Sequence, residues 1–243
     1  GIHMVNGNED STIQVSYGYG LFTGGLGAHY GGEAAGCTVI PTSSGNTKRQ
    51  IQMMKDLGTD ILACTPSYAL LIADTAIEMG YDPAVDFKIS AGIFGAEPAS
   101  ESMREDIRKK LGIQYCDVYG LSEVMGPGVA MECAESHGLH VAEDHFYAEI
   151  VDPDTLKPLP DGEYGELVFT TLTRECCPLV RYRTRDVTRI IPEECACGRT
   201  HRKIDRIVGR TDDMLILRGV NVFPSQIEQV IVSFPEIAAQ YQI

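Results

Sequence analysis

The first half of the chain alternates short apolar runs with amphipathic segments, and this alternation constrains the fold more than any other feature. Residues 60–64, 88–94 and 113–118 are apolar runs that predict strands. A helix is predicted after the first run, with Thr65 as its N-cap, and another between Pro98 and Gly112. Strand, helix and strand in this order favour parallel βαβ units.

Two loops follow the carboxyl ends of the predicted strands, where parallel sheets bind their ligands. They are Gly95-Ala96-Glu97-Pro98 and Tyr119-Gly120-Leu121-Ser122-Glu123. The tyrosine ring can stack on a base, the glycine permits close approach to a phosphate, and the carboxylate can hold Mg²⁺. A turn with a satisfied tyrosine and a capping serine is the alternative interpretation of the second loop.

The second half of the chain predicts a small antiparallel β subdomain. Its apolar segments are separated by Pro-Asp and Pro-Asp-Gly turn signals and cover residues 146–152, 165–172 and 178–191. A polar junction at residues 209–213 precedes a predicted strand at 214–217 and a helix that begins at Pro224.

We therefore predict an α/β fold. A parallel βαβ sheet subdomain occupies residues 1–140, a small antiparallel β subdomain occupies 141–209, and a hinge with the start of a C-terminal α+β domain occupies 210–243.

Charge and cysteine usage exclude several functional classes. Lys plus Arg (20) minus Asp plus Glu (34) gives a net charge of −14, which argues against nucleic acid or anionic lipid as a partner. The longest apolar runs fall well short of the roughly 20 residues that a membrane helix needs. We find no signal-peptide pattern, so we expect a cytoplasmic protein whose eight cysteines are not a disulfide framework.

The chemistry-bearing residues of the second half lie in two polar segments. In Arg181-Tyr182-Arg183-Thr184-Arg185-Asp186, the aspartate can accept hydrogen bonds from a ribose diol. In Gly209-Arg210-Thr211-Asp212-Asp213, the arginine can clamp a phosphate or ribose, and the glycine and aspartates can form a hinge. A solvated strand face and an ordinary interdomain linker are the alternative interpretations.

These segments, in this order, resemble the adenylate-forming superfamily of acyl-CoA synthetases. Within it the chain is similar to the phenylacetate–CoA ligases, from about Ser16 to its last residue. Four segments carry that similarity: Tyr17-Gly18-Tyr19-Gly20-Leu21-Phe22-Thr23-Gly24-Gly25, Glu143-Asp144-His145-Phe146-Tyr147, Tyr182-Arg183-Thr184-Arg185-Asp186 and Gly219-Val220-Asn221-Val222-Phe223-Pro224-Ser225-Gln226.

The resemblance implies a two-step reaction, in which a carboxylate and ATP give an acyl-adenylate and CoA then displaces AMP. It assigns a role to each matching residue. Gly95, Ala96, Glu97 and Pro98 would border the adenine and the acyl group. Tyr119 would stack on adenine beside Gly120, Ser122 would contact the phosphates, and Glu123 would hold Mg²⁺. Asp186 would bind the ribose hydroxyls, Arg210 would reach ribose or phosphate, and Asp212 would be the hinge.

The implied partners are ATP, CoA and a small aromatic carboxylic acid such as phenylacetate. Tyr17, Tyr19 and Phe22 are candidates for the wall of the acid pocket, since a flat aromatic acid needs apolar and aromatic surroundings. Aromatic residues among so many glycines are also consistent with ordinary core packing. Whether the chain forms a homodimer stays open.

The chain also departs from the family pattern. The glycine-, serine- and threonine-rich phosphate loop and the catalytic lysine of the family have no counterpart in these 243 residues. We therefore expect an inactive fragment of a ligase, with Gly1–Met4 as the remnant of a cleaved tag. Two alternatives are a module that binds nucleotide or a partner protein without turnover, and a zinc-stabilised structural protein that keeps only the fold.

A structural zinc site is a further expectation. Cys195-Ala196-Cys197 lies in one polar loop, and Cys133, His137 and His140 lie in another. Zinc in a structural site takes four nitrogen or sulfur ligands, so two from each loop would complete a tetrahedron. Some members of the family carry similar segments, which makes Cys133, His140, Cys195 and Cys197 the expected ligands, with His137 as the alternative. Two free surface thiols with unrelated histidines is the competing interpretation, and we expect Cys176 and Cys177 to lie in a strand.

Overall fold

The chain, described here from a computed structural model, forms two compact units. The first comprises Gly1–His140 and Cys195–Arg199, and the second comprises Val141–Glu194 and Thr200–Ile243. The structure describes residues 1–213, 215–217, 220–222, 224–231 and 234. No helix among these residues is long and apolar enough to cross a membrane.

The first unit alternates strands and helices. Its elements are the 3-10 helix Ile2–Val5, β1 Thr12–Val15, α1 Thr23–Ala34, β2 Thr38–Ile40, α2 Thr47–Leu57, β3 Ile61–Cys64, α3 Pro66–Glu78, α4 Pro83–Asp86, β4 Ala91–Phe94, α5 Glu101–Leu111, β5 Gln114–Leu121, β6 Gly126–Glu132 and β7 Leu139–Val141. The strands follow the order β7-β6-β5-β4-β3-β1-β2. Strands β1 to β5 are parallel, and β6 runs antiparallel to β5.

The local signals of the sequence account for most of these elements. The Thr65 hydroxyl accepts a hydrogen bond from Tyr68 N at 3.3 Å, so the predicted cap of α3 is confirmed. The prediction that Pro98 begins the next helix is wrong by three residues. Helix α5 begins at Glu101, because Ser100 is its N-cap: the Ser100 hydroxyl accepts a hydrogen bond from Met103 N.

The buried side chains of the first unit form two separate clusters. One cluster joins α2, α3 and α5 through residues such as Ile51, Ile72 and Ile107. The other contains Ile2 and Val5, which are 8% and 4% exposed, with strand residues. The expected tag remnant is therefore part of a packed 3-10 helix, because its apolar side chains contribute to the core. Cys37, Cys64 and Cys116 are free, buried thiols.

The second unit is built mainly from antiparallel strands. Its elements are β8 Phe146–Val151, β9 Gly165–Thr171, β10 Tyr182–Thr188, β11 Ile190–Ile191, β12 Lys203–Ile204, β13 Gly209–Arg210, β14 Leu215–Leu217, β15 Val220–Val222 and α6 Pro224–Ile231. A four-stranded sheet has the order β13-β10-β9-β8 with antiparallel neighbours, so the predicted β subdomain is confirmed. Of the segment similar to the family at its C-terminal end, Gly219 and Phe223 lie outside the described residues.

The adjacent thiols of Cys176 and Cys177 lie in the connection between β9 and β10, and both are exposed. The prediction that they lie in a strand is wrong. Strand β9 ends at Thr171, whose backbone and hydroxyl both bond to Leu179 and so close the base of a loop.

Candidate functional site

The two loops singled out in the first unit leave neighbouring strands at the same edge of the sheet. Phe94, the last residue of β4, pairs with Asp117 of β5. The loop that begins at Gly95 therefore starts beside the strand that carries Tyr119. Close packing requires glycine at this point, since a Cβ on Gly95 would lie 2.4 Å from the carbonyl oxygen of Val118.

Glu97 holds the start of a helix in the structure. Its Oε1 accepts a hydrogen bond from the backbone N–H of Ser67 at 2.6 Å, in the first turn of α3. A carboxylate is favourable there because the first N–H groups of a helix have no partner within it. Ala96 precedes it with a φ of 72°, a left-handed conformation that turns the loop back toward the helix.

The segment from Tyr119 to Glu123 forms the end of β5 and a tight turn into β6. Val124 and Met125 both donate backbone hydrogen bonds to the Leu121 carbonyl at 3.1 Å. The side chains of Ser122 and Glu123 are exposed, whereas Tyr119 is partly buried. An aromatic ring, a hydroxyl and a carboxylate thus lie within five residues at the carboxyl end of a central strand.

The direction in which successive parallel strands are added to the sheet changes between β1 and β3. The chain passes from β1 to β2 on one side and from β3 to β5 on the other, and ligands of such sheets bind at this point of divergence. The aromatic segment begins directly after β1. Its first member, Tyr17, is 5% exposed, and its hydroxyl donates to the Ile93 carbonyl at 3.5 Å.

The three candidate pocket residues differ in their surroundings. Burial, with the nearby Cys64, raises the pKa of Tyr17 well above its usual value. The Phe22 ring lies 5.9 Å from the Tyr17 ring and is 40% exposed. Burial and then Glu33 raise the pKa of Tyr19 to about 12, and its hydroxyl lies 3.1 Å from Nδ1 of His29. Phe22 and Tyr19 are therefore the more accessible members.

Sequence reasoning missed a buried charge cluster behind β5. Arg104 of α5 is completely buried and donates hydrogen bonds to Asp117, at 3.1 Å, and to Glu132 of β6. Its guanidinium lies 4.3 Å from the centre of the Tyr115 ring. Arg104 is three and seven residues before Ile107 and Leu111, so its place on the apolar stripe of the helix was the available signal.

In the second unit, a break in strand register places Asp186. Strand β10 pairs Arg183 with Val168 and Val187 with Glu166, so three residues of β10 oppose one residue of β9. Arg185 has a φ of 71° in this bulge, and the Asp186 N–H donates to the Thr184 hydroxyl at 3.0 Å. Bulges re-aim side chains next to functional sites. The Asp186 side chain is only 12% exposed.

Arg210 binds the carboxylates around Asp186. Its Nη1 donates to Asp186 Oδ1 at 3.2 Å, and its Nε and Nη2 donate to the two oxygens of Asp212 at 2.9 Å each. These hydrogen bonds lower the pKa of Asp212, and the bond to Asp212 raises the pKa of Arg210. The structure therefore brings together all three site residues that the sequence named in this unit.

The predicted metal ligands also come together, within the first unit. One ligand atom from each of Cys133, His140, Cys195 and Cys197 lies within 4.8 Å of the others, and three of the four residues are buried. Cys133 Sγ lies 3.6 Å from Cys195 Sγ, and Cys197 Sγ lies 3.5 Å from His140 Nε2. Of the two histidines considered, the structure places His140 in the cluster, which favours it over His137.

The thiols of this cluster differ in their surroundings. Burial raises the pKa of Cys133 to about 11, and hydrogen bonding to Cys195 and Cys197 adds to that effect. Burial also acts to raise the pKa of Cys197, but hydrogen bonds from Arg199 and the neighbouring cysteines outweigh it and lower the pKa to about 7. Three cysteine sulfurs and one histidine nitrogen are a donor set that suits Zn²⁺.

Comparison with known proteins identifies the type of chain that these features belong to. Residues 11–172 match the family described as AMP-binding enzyme, and residues 219–243 match the AMP-binding enzyme C-terminal domain. The whole chain is 54% identical to phenylacetate-coenzyme A ligase from Pseudomonas putida and 54% identical to the one from Escherichia coli strain K12. It spans 54% and 55% of those two proteins, about half of their length.

Solved structures share the fold. A 2-hydroxyisobutyryl-CoA ligase in the postadenylation state, in complex with R3-HIB-AMP, superposes with a TM-score of 0.91 at 25% identity, over 98% of this chain and 52% of that chain. An open conformation in complex with 2-HIB-AMP and CoA has a TM-score of 0.88 at 26% identity, over 99% of this chain and 57% of that one. The predicted α/β fold class is thereby confirmed.

Proposed function

Because the chain belongs to the AMP-binding enzyme family, we propose that it forms the nucleotide- and acid-binding part of a CoA ligase for an aromatic carboxylic acid, phenylacetate or a close relative. In the first step the carboxylate attacks the α-phosphorus of ATP, giving an acyl-adenylate and pyrophosphate. In the second the CoA thiol displaces AMP and leaves a thioester. The whole-chain identity of 54% to two phenylacetate-coenzyme A ligases is the observation that carries this proposal. Since the chain spans about half of them, the complete reaction is proposed for a protein of their length.

In the first unit the proposed roles follow from position and chemistry. Tyr119 stacks on the adenine ring, because it is the aromatic residue near the carboxyl end of β5. The Ser122 hydroxyl donates a hydrogen bond to a phosphate oxygen. The loop from Gly95 to Pro98 borders the adenine and the acyl group, with Gly95 allowing its close approach to β5.

Glu123 is the residue proposed to hold Mg²⁺. Its carboxylate is exposed at the carboxyl end of β5, and Mg²⁺ prefers carboxylate and phosphate oxygens. A bound Mg²⁺ would supply charge compensation for the phosphates of ATP. Glu123 itself contributes a negative oxygen ligand one residue beyond the phosphate-contacting serine.

In the second unit Asp186 is proposed to accept hydrogen bonds from both ribose hydroxyls. Its carboxylate is held in place by Arg210 at Oδ1, and an ionised carboxylate is the acceptor that a ribose diol requires. Arg210 contributes a positive charge to the ribose and phosphate. Asp212, which binds the same arginine, lies at the proposed hinge before the C-terminal residues. The proposed division of the chain at residues 140 and 209 has the support of a unit boundary between His140 and Val141.

The pocket for the acid is proposed to lie at the divergence of β1 and β3. Tyr17, Tyr19 and Phe22 follow β1 directly, and their rings provide the apolar walls that an aromatic acid requires.

Calorimetric titration of AMP into the purified chain tests the proposal. We expect binding in the micromolar range, at least tenfold weaker in Asp186→Ala because two hydrogen bonds to the ribose are lost. The matched control is Asp106→Ala, which removes an exposed carboxylate from α5. Phenylacetate should bind more tightly when AMP is present. A folded chain that binds no AMP, or an equal loss in both variants, would contradict the proposal.

We further propose that Cys133, His140, Cys195 and Cys197 bind a structural Zn²⁺. With zinc–sulfur bonds of about 2.3 Å and zinc–nitrogen bonds of about 2.0–2.1 Å, a tetrahedron has S···S edges of about 3.8 Å and S···N edges of about 3.5 Å. The distances of 3.6 Å between Cys133 and Cys195 and 3.5 Å between Cys197 and His140 match these edges. Four protein ligands leave no open position, so the ion would stabilise the two loops without taking part in the reaction.

Metal analysis of the purified chain tests the zinc proposal. We expect one zinc per chain, reduced to less than a tenth in Cys195→Ser, with a lower midpoint of thermal unfolding. Cys176→Ser is the matched control, because it removes an exposed thiol outside the cluster. A chain without zinc after expression in zinc-supplemented medium, with the same unfolding midpoint in both variants, would contradict the site.

A further inference from the structure

A hydrogen bond joins two motifs that are far apart in the chain. Thr23 Oγ1 lies 3.1 Å from Ser122 Oγ, although the two residues are separated by 99 positions. Thr23 belongs to the aromatic and glycine-rich segment after β1, and Ser122 belongs to the turn after β5. Both residues are exposed, so a ligand can reach their hydroxyl groups.

The position of Thr23 is closely defined by its neighbours. It is the first residue of α1, and the preceding Phe22 provides no side-chain cap. Gly126, just after the Ser122 turn, has a φ of 103°, and a Cβ there would lie 3.0 Å from both Cβ and Oγ1 of Thr23. A Cβ on Gly25 would lie 2.5 Å from the Gly18 carbonyl oxygen. The start of α1 is therefore packed tightly on two sides.

The hydroxyl chemistry gives this contact a function. A serine hydroxyl has one proton and two acceptor lone pairs, so it cannot donate to a phosphate and to Thr23 at the same time. We propose that Thr23 is a positioning residue, whose hydroxyl donates to Ser122 Oγ and so directs the Ser122 proton toward the phosphate of the nucleotide. This inference rests on the proposed nucleotide site and adds the residue that orients its phosphate contact.

Comparison of AMP with adenosine separates positioning from structural support. Thr23→Val keeps the shape of the side chain and removes its hydroxyl. We expect Thr23→Val to bind AMP about three- to tenfold more weakly than the unaltered chain, because the hydrogen bond of Ser122 to a charged oxygen is misdirected. Adenosine lacks the phosphate, so its affinity should be unchanged. Thr23→Ser keeps the hydroxyl and should bind AMP like the unaltered chain.

A double-mutant cycle with Ser122→Ala tests whether Thr23 acts through the serine. The double variant should bind AMP no more weakly than Ser122→Ala alone. Three results would each overturn the role of Thr23 while leaving the nucleotide site intact. Thr23→Val could lose the same affinity for AMP and for adenosine, or it could bind AMP like the unaltered chain. In the double variant, the losses of AMP affinity from the two substitutions could be additive. If the unaltered, folded chain binds neither AMP nor adenosine, the proposed nucleotide site is refuted, and the positioning role with it.

Discussion

Arg210 donates a hydrogen bond to Asp186 at 3.2 Å, and the two residues are directly paired across strands β13 and β10. The same guanidinium binds both oxygens of Asp212. The proposed ribose-binding carboxylate is thus tied to the proposed hinge through one side chain. A change at Arg210 should therefore affect both.

We expect Arg210→Met to weaken AMP binding at least tenfold, because it removes a cation that contacts Asp186 and leaves that carboxylate, 12% exposed, without its charged partner. Arg174→Met removes a half-buried cation from the loop between β9 and β10 and serves as control. Both affinities are measured by calorimetry at two salt concentrations. Equal affinities in the two variants would argue against a role for Arg210 in nucleotide binding.

Replacement of Gly95 should destabilise the first unit. In Gly95→Ala the new Cβ would lie 2.4 Å from the Val118 carbonyl oxygen, which forces the loop away from β5. We expect a loss of about 1–3 kcal/mol, the typical cost of overpacking. The control is Gly31→Ala within α1, where no atom lies within 4 Å, and a gain of about 0.5–1 kcal/mol is expected there. Urea unfolding followed by circular dichroism would measure both, and a neutral Gly95→Ala would contradict the packing argument.

Removal of the buried arginine should have a larger effect. Arg104→Met leaves Glu132 completely buried without its charged partner, and we expect a loss of about 3–5 kcal/mol in the free energy of unfolding. Arg108→Met, which breaks ion pairs with the exposed Glu101 and Glu105 and removes a charge 5.7 Å from the centre of the Tyr115 ring, should cost about 1 kcal/mol. Adding Glu132→Gln to Arg104→Met should restore part of the lost free energy of unfolding. Similar losses in the two single variants would show that the buried cluster is not the cause.

Low pH should destabilise the second unit, because Asp205 becomes protonated. Burial acts to raise its pKa, but hydrogen bonds from Tyr164, the Arg206 N–H and Arg189 outweigh this and lower it below the usual value. A carboxyl group whose pKa is lower in the folded state stabilises the folded protein at pH values above its unfolded pKa of about 3.9. That contribution is lost as the pH falls through the folded pKa.

Asp205→Asn should therefore be less stable than the unaltered chain at pH 7, and the difference should shrink below about pH 4. Thermal unfolding of both proteins from pH 7 to pH 3 measures it. Asp154→Asn, an exposed residue of the β8–β9 connection, is the control and should behave like the unaltered chain. A difference at pH 3 that is as large as the difference at pH 7 would contradict a charge-based contribution.

The sequence by itself determined the alternation of β3, α3, β4, α5 and β5 in the first unit and the antiparallel character of the second. These follow from interactions between near neighbours, such as the Thr65 cap and the apolar runs at residues 61–64 and 91–94. The segment from Tyr119 to Glu123 was recognisable because its chemistry lies within five consecutive residues.

Only the tertiary structure decided which distant residues meet. Arg104 and Glu132 are 28 residues apart, and Thr23 and Ser122 are 99 apart. Contacts of this kind depend on strand order and on how closely helices approach the sheet, and no local pattern encodes them. The same reason explains why β6 was not predicted, since its antiparallel pairing with β5 arises from the turn at Gly126 and from packing against α1.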